Sequence, residues 1–317
     1  MFLKSKMLFI YSETSMHVGA GSGLGAIDLP IQRERITDYP LIQASGLKGA
    51  LRSVVPDGPE KDAIFGADNA DNAGAIVVGD ARILLFPVRS LVGVFAWVTS
   101  VDILQRFQRD AQLVGLTWLP SIPTELSGNN LFASGSAVLT ENNPKRAVLE
   151  EFAFNATIDP MVTQWATNLA NNVLPSLIIQ NKDIYKYWQD KLKNSLLVLP
   201  NVAFRDFVKH STEVVTRIRL DNNTKTVDGG GLWTEERLPS ETVLYAPVNA
   251  TQLRLPSTTS VPQSLIPEDK TLSGSKKSGA QAQKVLEWVS NNANVPHQLQ
   301  IGGNETIGRG QVRLRWA

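Results

Sequence analysis

The sequence predicts an α+β fold in which a small sheet carries helices on one side and long insertions interrupt the pattern. Three observations lead there. Strand-like and helix-like segments interleave, but their connections run from a few residues to several dozen, whereas a regular α/β barrel would space them evenly. No internal repeat of fixed period is present. The 317 residues are 43% apolar and 19% charged, ample for a core and without the signature of wholesale disorder.

Residues 7–11 read as a short buried strand ending at Ser12-Glu13-Thr14. A glycine loop (19–25) follows, then a second loop from Asp28-Leu29-Pro30 to Pro40. Ser45 is suited to N-cap a helix over 46–55, with Leu47, Leu51 and Val54 apolar. Strands are expected at 75–78, 81–86 and 92–98. A helix carrying Val101, Leu104, Phe107 and Ala111 on its buried face opens an otherwise irregular insertion, 100–144, where Pro120, Pro123 and a Ser/Gly/Asn cluster up to Gly135 read as loop. One strand is expected over 147–156. Asp159-Pro160 is an N-cap followed by a first-turn proline, and Val162, Trp165, Leu169 and Val173 then share a face. Helices fit 183–194 and 202–209. Residues 214–220 form a strand whose expected return partner is 242–248, a hairpin unit of 213–248. Residues 257–278, rich in Ser, Thr, Pro and Lys, read as a mobile loop. Ala282, Val285, Leu286 and Val289 mark a helix over 281–292, and two strands around 302–310 close the chain.

The 31 basic and 30 acidic side chains nearly cancel, which excludes a globally polycationic binder but not local basic surfaces. There is no cysteine, so disulfides, thiolate metal sites and cysteine nucleophiles are excluded. The first apolar run is too short for a secretory or membrane segment, and a cytoplasmic protein is expected.

Gly21-x-Gly23-x-x-Ala26 nearly matches the dinucleotide fingerprint, but the helix that must follow is replaced by Ile27-Asp28-Leu29-Pro30. The loop instead offers a backbone able to approach a phosphate or sugar, or is simply a flexible turn. Asp28, with Arg33 and Arg35 downstream, suits an anion-handling site in which it ligates Mg2+ or positions a hydroxyl; a solvated turn-starting aspartate is the competing reading. Lys48 and Arg52 lie one helical turn apart behind Ser45, as a phosphate contact or an ordinary polar face. Arg217 and Arg219 share one face of a strand that runs into a polar arm carrying Asn222, three glycines (229–231) and Trp233, available for stacking. Arg309, Gln311, Arg313 and Arg315 alternate with apolar residues after the glycine loop 302–310, so the last strand reads as half buried and half basic. Together these segments fit a groove following a phosphate backbone. His17 is an acid–base candidate or a structural histidine, and no spacing indicates a dedicated metal cluster.

Several blocks carry a resemblance. Tyr11-Ser-Glu-Thr-Ser-Met-His17-Val-Gly-Ala-Gly-Ser, Leu24-Gly-Ala-Ile-Asp28-Leu-Pro-Ile-Gln-Arg-Glu-Arg35 and Ser45-Gly-Leu-Lys48-Gly-Ala-Leu-Arg52 closely resemble the RAMP-superfamily backbone subunit of type III-B CRISPR (Cmr) effector complexes. So do Phe86-Pro-Val-Arg89-Ser, Phe95-Ala-Trp-Val-Thr99, Leu232-Trp-Thr-Glu-Glu236 and the loop 302–310, in the family's order along nearly the whole chain.

The resemblance implies a single RAMP domain (1–317): a ferredoxin-like (RRM-like) palm with large insertions and a protruding β-hairpin thumb at 213–248. It implies an endoribonuclease of antiviral defense, bound to CRISPR RNA, whose copies stack head to tail with other Cmr complex subunits and cut single-stranded target RNA at regular intervals. Asp28 maps onto the catalytic aspartate, with cleavage dependent on a divalent metal (Mg2+ or Mn2+, ligated by Asp28) and in-line attack by the neighbouring 2′-hydroxyl. His17 and one of Glu235 or Glu236, with Glu236 the first choice, are the assisting residues. The expected RNA contacts are Arg33, Arg35, Ser45, Lys48, Arg52, Arg217, Arg219, Trp233, Gly308, Arg309 and Gly310. A non-catalytic RNA-binding subunit and the type III-A equivalent are the alternatives.

Overall fold

β1 (Lys4–Ser12) is buried on both faces from Met7 onward, which accounts for its unbroken apolar run. The computed structural model describes residues 3–23, 25–68, 71–221 and 223–317; Met1, Phe2, Leu24 of the glycine loop, Asn69, Ala70 and Asn222 of the arm lie outside the described residues. After a long loop come β2 (Leu41–Ile42), α1 (Ala44–Ser53), α2 (Pro59–Phe65), β3 (Ile76–Val78), β4 (Ala81–Ser90) and β5 (Val94–Ser100). α3 (Val101–Leu113) buries Val101, Leu104, Phe107 and Ala111, as their spacing predicts. β6 (Asn130–Ala133), β7 (Arg146–Leu149) and β8 (Phe152–Ile158) lead into α4 (Pro160–Asn172). The Asp159 carboxylate accepts from the N–H of Met161 at 2.8 Å and of Val162 at 3.1 Å, a cap worth about 1 kcal/mol. β9 (Ile178–Ile179), β10 (Lys182–Asp183), α5 (Lys186–Ser195), β11 (Leu196–Leu199) and α6 (Asn201–His210) precede a hairpin of β12 (Glu213–Leu220) and β13 (Val227–Arg237). β14 (Val243–Ala250), α7 (Gly274–Val289), β15 (Gln298–Gln300) and β16 (Gln311–Trp316) complete the chain.

Mixed α+β structure is therefore observed, but the sheet is not small. It has twelve strands in the order β15-β16-β1-β14-β4-β5-β11-β6-β8-β7, with β2 on β4 and β3 on β14. A further pairing of Ser90 with Leu149 joins β7 back to β4, so the second half of the sheet closes into a barrel-like ring. β4 belongs to both halves and is buried along most of its length. In the open half, the sheet order β16-β1-β14-β4 is built from elements that follow along the chain as β1, α1, β4, β14, α7, β16.

Several sequence expectations need correction. β6 lies where loop was expected: Leu131 and Ala133 enter the core, but four residues are too few for alternation to stand out. The single strand over 147–156 is two antiparallel strands, turned at Glu150 with φ 49°. Residues 242–248 do not return the hairpin. β14 pairs with β1, β3 and β4, and β12 pairs with β13, which includes the glycines read as arm. α7 begins at Gly274, within the segment read as a mobile loop, because its first turns are polar and carry no apolar period. Ser45 does not cap α1; Gln43 occupies that position, and Asp80 Oδ1 accepts from the Ala44 N–H at 2.8 Å instead. Among the described residues, no helix is long and apolar enough to cross a membrane.

Candidate active site

The residues singled out near the first glycine loop converge on one strand. The loop returns along β13: Leu29 bridges Glu235 in parallel, with Leu29 N–H donating to Thr234 O at 3.0 Å and Glu236 N–H to Leu29 O at 3.0 Å. Asp28 is exposed, and its Oδ2 accepts from both the Thr234 N–H (2.7 Å) and the Thr234 hydroxyl (2.9 Å). That hydroxyl oxygen accepts in turn from the Asp28 N–H at 3.0 Å. The backbone N–H of Thr234 first, then its hydroxyl, hold the Asp28 carboxyl below the usual carboxylate range. The group is an anion at neutral pH with no cation paired to it among the described residues.

His17 is half-buried. Its Nδ1 lies 2.7 Å from the Glu236 carbonyl oxygen, an acceptor, so Nδ1 carries the hydrogen and Nε2 keeps its lone pair in the neutral ring. Two glycines make room for it: a Cβ at Gly19 would sit 2.7 Å from Nε2, and one at Gly302, where φ is 90°, would sit 2.3 Å from the His17 carbonyl oxygen.

The two glutamates of β13 are each only 3% exposed and are taken up internally. Glu235 Oε1 accepts from Arg237 Nε at 2.6 Å and from Asn304 Nδ2 at 2.8 Å, tying β13 to the C-terminal glycine loop. Burial pushes the Glu235 carboxyl up, and Arg237, Asn304 and the nearby His17 outweigh it, so the carboxyl is held below its ordinary range. Glu236 accepts from Arg33 at 2.5 Å, from the Thr212 hydroxyl at 2.8 Å and from the Ile31 N–H at 3.0 Å. Glu236 thus organises the site from behind, with its oxygens facing away from solvent.

Arg33 is committed too: besides Glu236 it donates to the carbonyls of Asp38 (2.7 Å) and Val208 (3.0 Å). It braces the loop rather than presenting a free cation. Arg35 is exposed without a partner among the described residues. On α1, Ser45 is exposed and Arg52 reaches Asp68 at 2.8 Å. Lys48 is half-buried with no acceptor among the described residues; burial first, then the charge of Arg52, pull its ammonium pKa down. α1 is linked to the loop through Gln32, whose Oε1 accepts from the Gln43 N–H at 2.9 Å and whose Nε2 donates to Gly19 O at 3.0 Å.

On the hairpin, Arg217 lies opposite Trp233 and 4.0 Å from Glu235, while Arg219 donates to Asp228 at 2.9 Å. The other face carries the exposed apolar side chains Val214, Ile218, Leu220 and Leu232, with Thr216 and Thr234 paired among them. In the C-terminal loop Gly308 is exposed, the Gly310 N–H binds Ser15 O at 3.0 Å, and Arg309 donates to Ser15 Oγ at 3.0 Å. The basic face read on β16 is not free. Arg313 donates to Glu13 at 3.1 Å and Arg315 caps the carbonyls of Asn171 and Leu174. Sequence reasoning missed Thr234, Asn304 and Arg237. Thr234 stands inside the quoted block 232–236, where only its neighbours carry charge.

No group of three or more His, Asp or Glu side chains able to hold a metal occurs among the described residues. Asp28 alone offers a hard cation a carboxylate oxygen here: Oδ2 is occupied by Thr234, no side-chain bond reaches Oδ1 among the described residues, and the residue is exposed.

The fold and this loop-on-hairpin site define a class: over residues 9–313 the chain matches the RAMP superfamily, and it belongs to that family. It is similar to the "CRISPR system Cmr endoribonuclease Cmr4" of Pyrococcus furiosus, at 36% identity over 98% of this chain and 95% of the relative. The crystal structure of oligomeric Cmr4 from Pyrococcus furiosus superposes with a TM-score of 0.68 at 30% identity, covering 99% of this chain and 98% of that one. A chain of the apo type III-B Cmr-beta complex, solved by cryo-EM, does so at 0.65 and 25% identity, covering 100% and 98%.

Proposed function

We propose that this chain is the CRISPR-RNA-binding backbone subunit of a type III-B effector complex and the endoribonuclease that cuts the guide-paired target RNA. The observation that carries the reading is Asp28: an exposed carboxylate with no cation paired to it among the described residues, pinned on Oδ2 by Thr234 of the strand whose Glu236 carbonyl orients the His17 imidazole.

In this reading Asp28 lies at the scissile phosphate and His17 Nε2 accepts the proton of the attacking 2′-hydroxyl as its oxygen bonds to phosphorus and the P–O5′ bond breaks, the departing 5′-oxygen taking a proton from water. Mg2+ or Mn2+ would be held by Asp28 Oδ1, with RNA phosphate oxygens and water completing its shell. Bound there it would neutralise charge building on the phosphoryl oxygens. Glu236 and Glu235 keep β13, and hence Asp28 and His17, in place. The element order β1, α1, β4, β14, α7, β16 supports a ferredoxin-like palm. The hairpin 213–237 is the thumb, its apolar face (Val214, Ile218, Leu232) suited to wedge against bases where the duplex is interrupted. Lys48, Arg52, Arg35 and the 302–310 loop would follow guide phosphates. Other copies of the chain, head to tail, and the remaining Cmr subunits are the protein partners.

The test uses the complex assembled on guide RNA, labelled complementary RNA and Mg2+. Regularly spaced products should vanish with Asp28→Asn while target binding is retained. Equal cutting by both proteins would move catalysis elsewhere, and no cutting by either would leave a structural RNA-binding subunit.

A further inference from the structure

We propose that Thr234 is the positioning residue of the cleavage site: it fixes which Asp28 oxygen is presented to the reaction. The inference rests on the reading of Asp28 as the catalytic carboxylate.

Asp28 stands on a loop next to a run of glycines, where a carboxylate would otherwise sample several rotamers. Thr234 removes that freedom with every polar group it has on that side. Its N–H and its hydroxyl hydrogen both go to Oδ2, at 2.7 and 2.9 Å, and its hydroxyl oxygen takes the Asp28 N–H at 3.0 Å. A hydroxyl has one hydrogen to donate and two lone pairs to accept with, so the side chain closes a ring with Asp28. Oδ2 is thereby filled, and among the described residues no side chain binds Oδ1. Threonine suits the task because it is β-branched, stiff at χ1, and sits on a regular strand rather than on the loop. The Thr234 backbone anchors the same loop a second time by accepting from the Leu29 N–H at 3.0 Å. Substitution of the side chain leaves that bond, and the Thr234 N–H bond to Oδ2, in place.

The experiment compares wild type, Thr234→Val, Thr234→Ser and Asp28→Asn in the assembled, guide-loaded complex, measuring single-turnover cleavage at saturating target, target affinity and thermal unfolding of the chain. Val keeps the shape and removes the hydroxyl, and Ser restores it. For Thr234→Val we expect the cleavage rate to fall about tenfold to a hundredfold, the scale on which small misplacements of a reacting group act. Target affinity should stay within about twofold and the melting temperature should not change, while Thr234→Ser should recover most of the rate. Wild-type cutting by Thr234→Val, with Asp28→Asn inactive, overturns the proposal while leaving the role of Asp28 standing. A rate loss that comes with lost affinity or a lower melting temperature, and is not rescued by Ser, also overturns it, since that is what a purely structural threonine gives. Undiminished cutting by Asp28→Asn overturns the underlying reading instead.

Discussion

The Nδ1 atom of His17 and the carbonyl oxygen of Glu236 are 2.7 Å apart, and this contact joins a candidate proton acceptor to the strand that also holds Asp28. It fixes the tautomer through a backbone carbonyl, so that Nε2 is the nitrogen left with a lone pair in the neutral ring. Replacement of His17 by Asn keeps a donor near that carbonyl and removes the Nε2 lone pair. We expect cleavage by His17→Asn to fall by about two to four orders of magnitude, the usual worth of a general base, with target RNA still bound. A rate within a few-fold of wild type in single-turnover assays would remove His17 from the chemistry.

Arg33 and Glu236 form the buried counterpart of that arrangement. Their 2.5 Å contact is backed by two carbonyls on the arginine and by Thr212 and the Ile31 N–H on the glutamate. Glu236→Ala takes the carboxylate from a mostly buried guanidinium that keeps two carbonyl acceptors, a loss on the scale of about 1.5–3 kcal/mol for a hydrogen bond to a charged group. Denaturant unfolding should show that loss. Arg33→Lys should recover little of the stability lost in Arg33→Ala, because one ammonium cannot reach three acceptors on different elements. Unchanged unfolding midpoints would mean that the pair carries no structural load.

Why the site was legible and its support was not follows from range. Asp28, His17 and the block 232–236 stand in short, ordered runs, so residue type and order alone bring them forward. The ties that decide their roles span about two hundred residues or more: Asp28 to Thr234, Arg33 to Glu236, Glu13 to Arg313. Local pattern carries no trace of such pairs. That is why Arg33 and the β16 arginines read as phosphate contacts when their guanidinium groups are already used inside. The fold divides in the same way. α3 and α4 declared themselves through a 3.6-residue period and a cap, whereas β6 was too short to show a period and β14 became central only through its long-range pairing.

Lys48 separates guide binding from stability. Its ammonium is half-buried, without an acceptor among the described residues, and pulled toward the neutral form by burial and by Arg52. The charge of an RNA phosphate would oppose both by favouring the ammonium form. Lys48→Met should therefore weaken guide binding at every sequence alike and reduce the salt slope of binding by about one, as expected for one lost phosphate contact. Its melting temperature without RNA should not fall. An unaltered slope in a salt titration would place the guide away from α1.

Glu241 gives the chain a pH dependence that is separate from the site. The residue sits at the turn into β14 with φ 69°, its carboxylate meets the Tyr11 hydroxyl, and burial pushes its pKa up to about 7. In the unfolded chain the carboxyl ionises near 4.3. Between those values the native state holds a proton that the unfolded state has released. Stability from this group is therefore complete below about pH 4.3, declines as pH rises to about 7, and is level beyond. At roughly 1.4 kcal/mol per unit, the full swing is on the order of 4 kcal/mol. Glu241→Gln keeps an acceptor for Tyr11 and cannot ionise. Its stability relative to wild type should rise across pH 5–7 and plateau near pH 8, with little difference at pH 4.5. Parallel unfolding curves for the two proteins over that range would show that Glu241 is solvated in the native state.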